Sequence, residues 1–153
     1  MNFTMTGLEQ SLADYLSPQL PGTSIYADPN QQGTKPPALF LRPIYAKIAP
    51  QISGMVLRKL GLDLVYLVQP NGLNIDSTLR ETADVMDLCL ETFPYAANSE
   101  NPVHLRTYDR HWDIIDSALH YRFQLRLRLS KAEDFALMES IQELNMEENH
   151  ERT

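Results

Sequence analysis

The sequence predicts an α+β domain: a mostly antiparallel sheet with two long strands and helices packed on one face. Ala118 to Ser130 alternates without a break, with Leu119, Tyr121, Phe123, Leu125, Leu127 and Leu129 on one side and His120, Arg122, Gln124, Arg126, Arg128 and Ser130 on the other. Side chains of a strand point to opposite faces with period two, so this pattern gathers its apolar groups on one surface only if the segment is extended. At ~3.3 Å per residue the strand reaches ~40 Å, long enough to back a sheet or to project beyond its own domain. Met55 to Val68 is the second long strand: Leu60, Leu62, Leu64, Tyr66 and Val68 alternate with Lys59, Gly61, Asp63, Val65 and Leu67, and its C-terminal half is apolar on both faces. Apolar stripes at helical spacing supply the cover for the sheet.

The elements follow in order. Leu8, Leu12, Tyr15 and Leu16 recur at helical spacing until Pro18, Pro21 and Gly22 end the element. Ser24 to Ala27 predicts a short strand, and Asp28 to Pro37 a loop, because Gly33 permits positive φ while Pro36 and Pro37 block helix and central-sheet pairing. Ala38 to Ile48 is extended, and Pro43 within it removes a ladder hydrogen bond, so this strand is bent or lies at an edge. Ala49 to Gly54 is a turn with Ile52 exposed. After the turn Pro70-Asn71-Gly72, Thr78 and Glu81 have capping-box spacing, with Asn74 or Asp76 as alternative caps. Leu79, Ala83, Met86, Leu90 and Phe93 then form one helical stripe that Pro94 terminates. Val103 to Tyr108 and Trp112 to Ile115 are strands separated by a polar turn, and Asp116-Ser117 leads into the long strand.

A chain of 153 residues holds one core. Residues 1–130 are expected to form the single domain, and 131–153 a short helix or mobile acidic tail, with Met138, Ile141 and Leu144 at helical spacing. That last stretch has seven acids (Glu133, Asp134, Glu139, Glu143, Glu147, Glu148, Glu151) against Lys131 and Arg152, and so carries −5 of the formal charge of −7. An acidic balance argues against a general nucleic-acid binder. The lone Cys89, the absence of a signal-peptide pattern at the N-terminus and the lack of a long apolar run point to a chain made in a reducing cytoplasm and not inserted in a membrane.

The search for chemistry assigns no catalytic, metal or cofactor-binding residue. Asp109, His111 and Asp113 would share a face on one extended strand, as ligands of a divalent ion do, but belong equally to a polar turn anchored by Trp112, and the turn is the reading adopted. His104 and His120 lack neighbouring ligands, Cys89 sits beside an apolar stripe, and neither a nucleophile elbow nor a glycine-rich phosphate loop is present. Arg122, Arg126 and Arg128 make a basic stripe on the polar face of the long strand. They would suit a phosphate backbone, acids on neighbouring strands or another copy of the chain, and the total charge favours pairing.

From Leu8 to about Met138 the sequence resembles the tail terminator family of long-tailed bacteriophages and related prophage tails. The resemblance is carried by the helix Leu8 to Leu16, Gly33-Thr34-Lys35-Pro36-Pro37-Ala38-Leu39-Phe40-Leu41, the strand Leu60 to Val68, the helix Asp76 to Phe93, and Asp116-Ser117-Ala118-Leu119-His120-Tyr121-Arg122-Phe123. It implies a structural virion protein without enzymatic activity or cofactor. Such a protein assembles in the host cytoplasm as a hexameric ring at the head-proximal end of the tail. There it stops tube polymerisation and joins head to tail. Its implied partners are other copies of itself, the major tail tube protein and a head-tail connector or stopper, with DNA only as passing cargo and no membrane. Tyr45, Ile48, Ile52, Met55, Val56, Arg122, Arg126 and Arg128 are the expected subunit or tail-tube contacts, since an extended hairpin adds readily to a sheet edge. A connector or stopper protein, and a small ligand-binding or regulatory domain of the host, are the alternatives.

Overall fold

The structure, a computed structural model, describes residues 3–27, 35–70, 72–95 and 101–130. The expected C-terminal helix or tail, and residues 28–34 of the predicted loop, lie outside the described residues. The chain runs α1 (Met5–Leu16), β1 (Ser24–Tyr26), β2 (Ala38–Pro50), a 3-10 turn (Ile52–Gly54), β3 (Met55–Leu67), α2 (Ile75–Cys89), β4 (Thr92–Tyr95), β5 (Val103–Ile115) and β6 (Ala118–Ser130). The strands form one six-stranded sheet in the order β1-β2-β3-β6-β5-β4.

This architecture corrects the predicted fold class. The protein is mostly sheet, with only two helices among the described residues, and four of its strands, rather than two, are 13 residues long. The sheet is mixed, because β1 runs parallel to β2, and it curls. The sequence hides this for local reasons. Pro43 sits at a register shift between Pro43 and Tyr45, and β2 continues through it to Pro50. Asp109, at φ 55, sits in a bulge between Tyr108 and His111, and β5 continues through that as well. A bulge bends a strand without ending it, so what the sequence suggests are two strands with a polar turn are one strand.

β3 and β6 pair antiparallel along their whole length, from Met55 opposite Ser130 to Leu67 opposite Ala118. Their inner faces hold Leu60, Leu62, Leu64 and Tyr66 against Leu125, Phe123, Tyr121 and Leu119, all buried. Leu39 and Leu41 of β2 extend the same core, which also takes Leu8, Leu12 and Leu16 from α1 and Leu79, Ala83 and Met86 from α2. On the other face a smaller cluster gathers Ala38, Phe40, Val65 and Ala118, with Tyr26 stacked on Phe40 at 5.5 Å.

Thr4 caps α1, its hydroxyl accepting from the Gly7 N–H at 3.0 Å, and the helix stops at Leu16, just short of Pro18. In α2 the cap position falls to Asn74, left-handed at φ 61, and the Thr78 hydroxyl donates to the Asn74 carbonyl, so the Thr78–Glu81 box is not used. The helix ends at Cys89, earlier than the apolar stripe suggests. Phe93 and Pro94 belong to β4, opposite Leu105 and His104 of β5, where the missing N–H of proline is tolerated on an edge strand. Asp116 and Ser117, both at positive φ, close the β5–β6 hairpin in two residues, as a turn matched to strand twist requires.

Polar ties fix the helices to each other and to the sheet. The Tyr15 hydroxyl donates to the Cys89 carbonyl at 2.6 Å, and the Tyr121 hydroxyl donates to Asp87 at 2.7 Å. Burial, reinforced by that carboxylate, raises the Tyr121 pKa well above its ordinary value, so the phenol stays protonated and donating. Leu125 is fully buried at the centre of this core. Leu125→Asp, which sinks a charge there, is expected to cost about 3–5 kcal/mol and unfold the domain, whereas Arg126→Ala, on the opposite face, costs at most about 1 kcal/mol. Urea denaturation midpoints check this, and equal midpoints would mean that the faces of β6 are reversed.

Candidate assembly interface

β1 pairs with β2 only from Ala38 to Phe40, and β5 pairs with β6 only as far as Thr107 opposite Leu125. β2, β3 and β6 continue as an extension from the row of Gly61 to that of Met55, flanked by β5 only at Gln124 and Leu125. Among the described residues, both edges of this extension are unpaired: Leu41 to Pro50 of β2 and Arg126 to Ser130 of β6. Open edges present rows of unused N–H and C=O groups that add readily to another strand.

The outer face of the extension is built in cross-strand rows. At its root, Arg42, Asp63 and Arg122 lie side by side. Asp63, only 5 % exposed, sits 3.0 Å from His120 Nδ1 and 3.8 Å from Arg122 Nε, and Arg122 also reaches Asp113 at 3.3 Å. The next row is Tyr45, Gly61 and Gln124, where the Gln124 amide donates to the Tyr45 hydroxyl at 2.7 Å across Gly61. A Cβ at that position would overlap the Tyr45 ring, so any other residue requires the ring to move. Then come Lys47, Lys59 and Arg126, followed by Ala49, Leu57 and Arg128. Arg126 lies over the Tyr108 ring at 4.3 Å, donates from Nε to the Gln124 side-chain oxygen at 2.8 Å, and meets Asp109 at 3.6 Å. On the inner face, Val56, Leu127 and Leu129 are buried, yet Ile48 is 65 % exposed and Ile52, in the 3-10 turn at the tip, 90 % exposed.

Seven of the eight contact residues expected from the sequence therefore share this extension: Tyr45, Ile48, Ile52, Met55, Val56, Arg126 and Arg128. Arg122 stands at its root and is engaged within its own chain by Asp63 and Asp113. Val56 is buried on the inner face of the extension, while Ile48 on that same face and Ile52 at the tip are exposed. Ile44, at the register shift and 53 % exposed, and the cations Lys47 and Lys59 were missed by sequence reasoning. Pro43 was the available signal for Ile44, because a proline inside a strand pattern marks a bulge.

Asp109, His111 and Asp113 go separate ways. Asp109 meets Arg126, Asp113 meets Arg122, and His111 Nδ1 lies 2.8 Å from the Asp109 carbonyl oxygen. Among the described residues no three His, Cys, Asp or Glu side chains converge. Burial pushes the Cys89 thiol pKa up, away from the reactive thiolate. An open groove of about 670 Å³ beside α1 presents one carboxylate, Asp14, which already accepts from Gln10 at 2.9 Å. Among the described residues no helix is long and apolar enough to cross a membrane.

A strand extension with open edges, an apolar tip and cations on one face is the kind of surface through which chains associate. Residues 8–136 match the family described as phage tail terminator protein, so this chain belongs to that family, as the resemblance in its sequence implies. No curated protein matches the chain. The family is one of structural and assembly components of phage tails, and the matched span takes in every strand of the sheet and all but the first residues of α1.

Because Gly61 accommodates the Tyr45 ring, Gly61→Ala is expected to displace that ring and break the Gln124 bond. In a double-mutant cycle with Tyr45→Ala, the two substitutions should couple by about 1 kcal/mol or more. Additive melting free energies would show that ring and glycine do not meet.

Proposed function

We propose that the protein assembles into a homo-oligomeric ring, a hexamer, on the head-proximal end of a finished tail tube. It stops addition of the major tail tube protein and offers its far side to a head-tail connector or stopper. The observation that carries this reading is the three-stranded extension with two open edges and Ile48 and Ile52 exposed. An extension at one end of a molecule that docks on a different surface of the next copy makes a head-to-tail contact, and such contacts close into rings when the rotation permits. Tyr45, Ile48, Ile52, Met55, Arg126 and Arg128 supply the contacts to the neighbouring copy or to the tube, and Val56 supports them from beneath. The work is association, without a chemical step. DNA passes through the ring as cargo, and the net charge of −7 disfavours its adsorption to the wall.

Ile48→Asp and Ile52→Asp change exposed side chains, so each should shift folding stability by only about 0.5 kcal/mol. Both should abolish oligomers in sedimentation or light scattering. A ring that forms unchanged with both substitutions would exclude the extension as the subunit contact.

In a phage lacking this protein, initiation at the opposite end of the tail should proceed, leaving filled heads beside unattached tails of irregular and often excessive length. Electron micrographs of the lysate read this directly. Unattached tails of normal length would place the protein among connectors instead.

A further inference from the structure

The cation row of the extension has no match among its own acids. At the root of the same face, the row of Arg42, Asp63 and Arg122 contains its own carboxylate. Two rows further on, Lys47, Lys59 and Arg126 lie directly opposite one another with no carboxylate between them, and Arg128 adds a fourth cation in the following row. Like charges directly opposite on neighbouring strands repel. Strand spacing of ~4.8 Å and a two-residue repeat of ~7 Å put all four charges within a patch roughly 15 Å across. Only Arg126 meets an anion within the described residues, the exposed Asp109, while Lys47 lies 5.5 Å from the Tyr45 ring. Lys59, Tyr108, Arg126 and Arg128 line a shallow groove there.

A patch of four cations in a chain of net charge −7 calls for a counter-charge, and the sequence holds one of matching size. Residues 131–153 carry −5, with the first acids, Glu133 and Asp134, beginning three residues after Ser130. Ser130 ends β6 on the extension itself, two residues past Arg128 and four past Arg126, or ~7 and ~13 Å along the strand. A ligand tethered this close acts at an effective concentration near millimolar, which makes even a weak electrostatic contact well populated.

We propose that, in the chain before assembly, the acidic segment 131–153 docks on the cation patch Lys47, Lys59, Arg126 and Arg128 of its own chain, and gives way when Arg126 and Arg128 meet the neighbouring copy or the tube. The contact neutralises the row and shields it from other polyanions, nucleic acid included. It is held by charge, and salt governs it.

The test uses the full chain, with a nitroxide attached through Ser140→Cys in a Cys89→Ala background and the amide spectrum read by NMR. Docking is expected to quench the amide signals of Lys59, Arg126 and Arg128 at low ionic strength. The signals should return at about 1 M salt, where the Debye length falls to ~3 Å. They should also return in the pair of substitutions Lys59→Gln and Arg128→Gln, whose unchanged amide pattern elsewhere verifies folding. A sample mixing isotope-labelled, nitroxide-free chains with unlabelled nitroxide-bearing chains should show no quenching. Quenching confined to that mixture would assign the segment to a neighbouring copy and overturn the proposal. Quenching that survives both salt and the neutral substitutions would overturn it in favour of apolar docking. Absence of quenching, with the row shifting on addition of a duplex oligonucleotide, would assign the patch to nucleic acid.

Discussion

The unbroken pairing of β3 with β6 is the constraint on which the rest depends. Thirteen residues on each strand face one another without a register shift, from Met55 opposite Ser130 to Leu67 opposite Ala118. A slip of one residue would send every side chain of a strand to the other face, so the two apolar rows fix this register as firmly as the hydrogen bonds do. With it in place, the core, the outer polar rows and the length of the extension are all determined. β2 and β5 add to this pair from either side, and each carries a register shift, at Tyr45 and at Asp109, that the central pair lacks.

The mismatch in strand pairing generates the surface proposed above for assembly. β1 and β5 cover only the first part of their neighbours, so one end of the sheet is a closed core packed by two helices and the other an open extension. The two ends differ in chemistry as well as in pairing. At the closed end, charged and hydroxyl groups find partners within the chain, as with Tyr121 on Asp87, Tyr15 on the Cys89 carbonyl and Arg122 between Asp63 and Asp113, although Asp63 Oδ1 is buried without one among the described residues. Along the extension Lys47, Lys59 and Arg128 meet no carboxylate among the described residues, and isoleucines face water. A folded chain that leaves edges, charges and apolar groups unanswered in one place is built to have them answered by something else.

Much of this was legible beforehand. β6 spans the residues whose alternation marked it, and α1, β1 and β3 lie where periodicity and turn residues put them. The exposed Ile52 and the bend at Pro43 were also foreseen, because both follow from local chemistry. The errors cluster where a residue type allows two local structures and a distant partner chooses. Phe93 continues the α2 stripe in sequence, but pairing with Leu105 draws it into β4. Asp109 to His111 resembles a turn, but β6 runs straight past it and holds the flanking residues in one strand. Of the caps the sequence offers for α2, Thr78 in a box with Glu81, Asp76 or Asn74, the helix takes Asn74, in a left-handed conformation.

The sequence by itself determined which faces are apolar, where the long central strands begin and end, and that the C-terminal acids carry most of the net charge, because these follow from period and composition within one segment. It also carried the family resemblance that the match over residues 8–136 bears out. Tertiary structure alone decided the strand order, the parallel placement of β1, the continuation of β2 and β5 through their bulges, and the alignment of Lys47, Lys59 and Arg126 in one row. The physical reason is that pairing is a relation between segments far apart in the chain. Alternation shows which way a side chain faces, and only the register between strands shows what stands beside it.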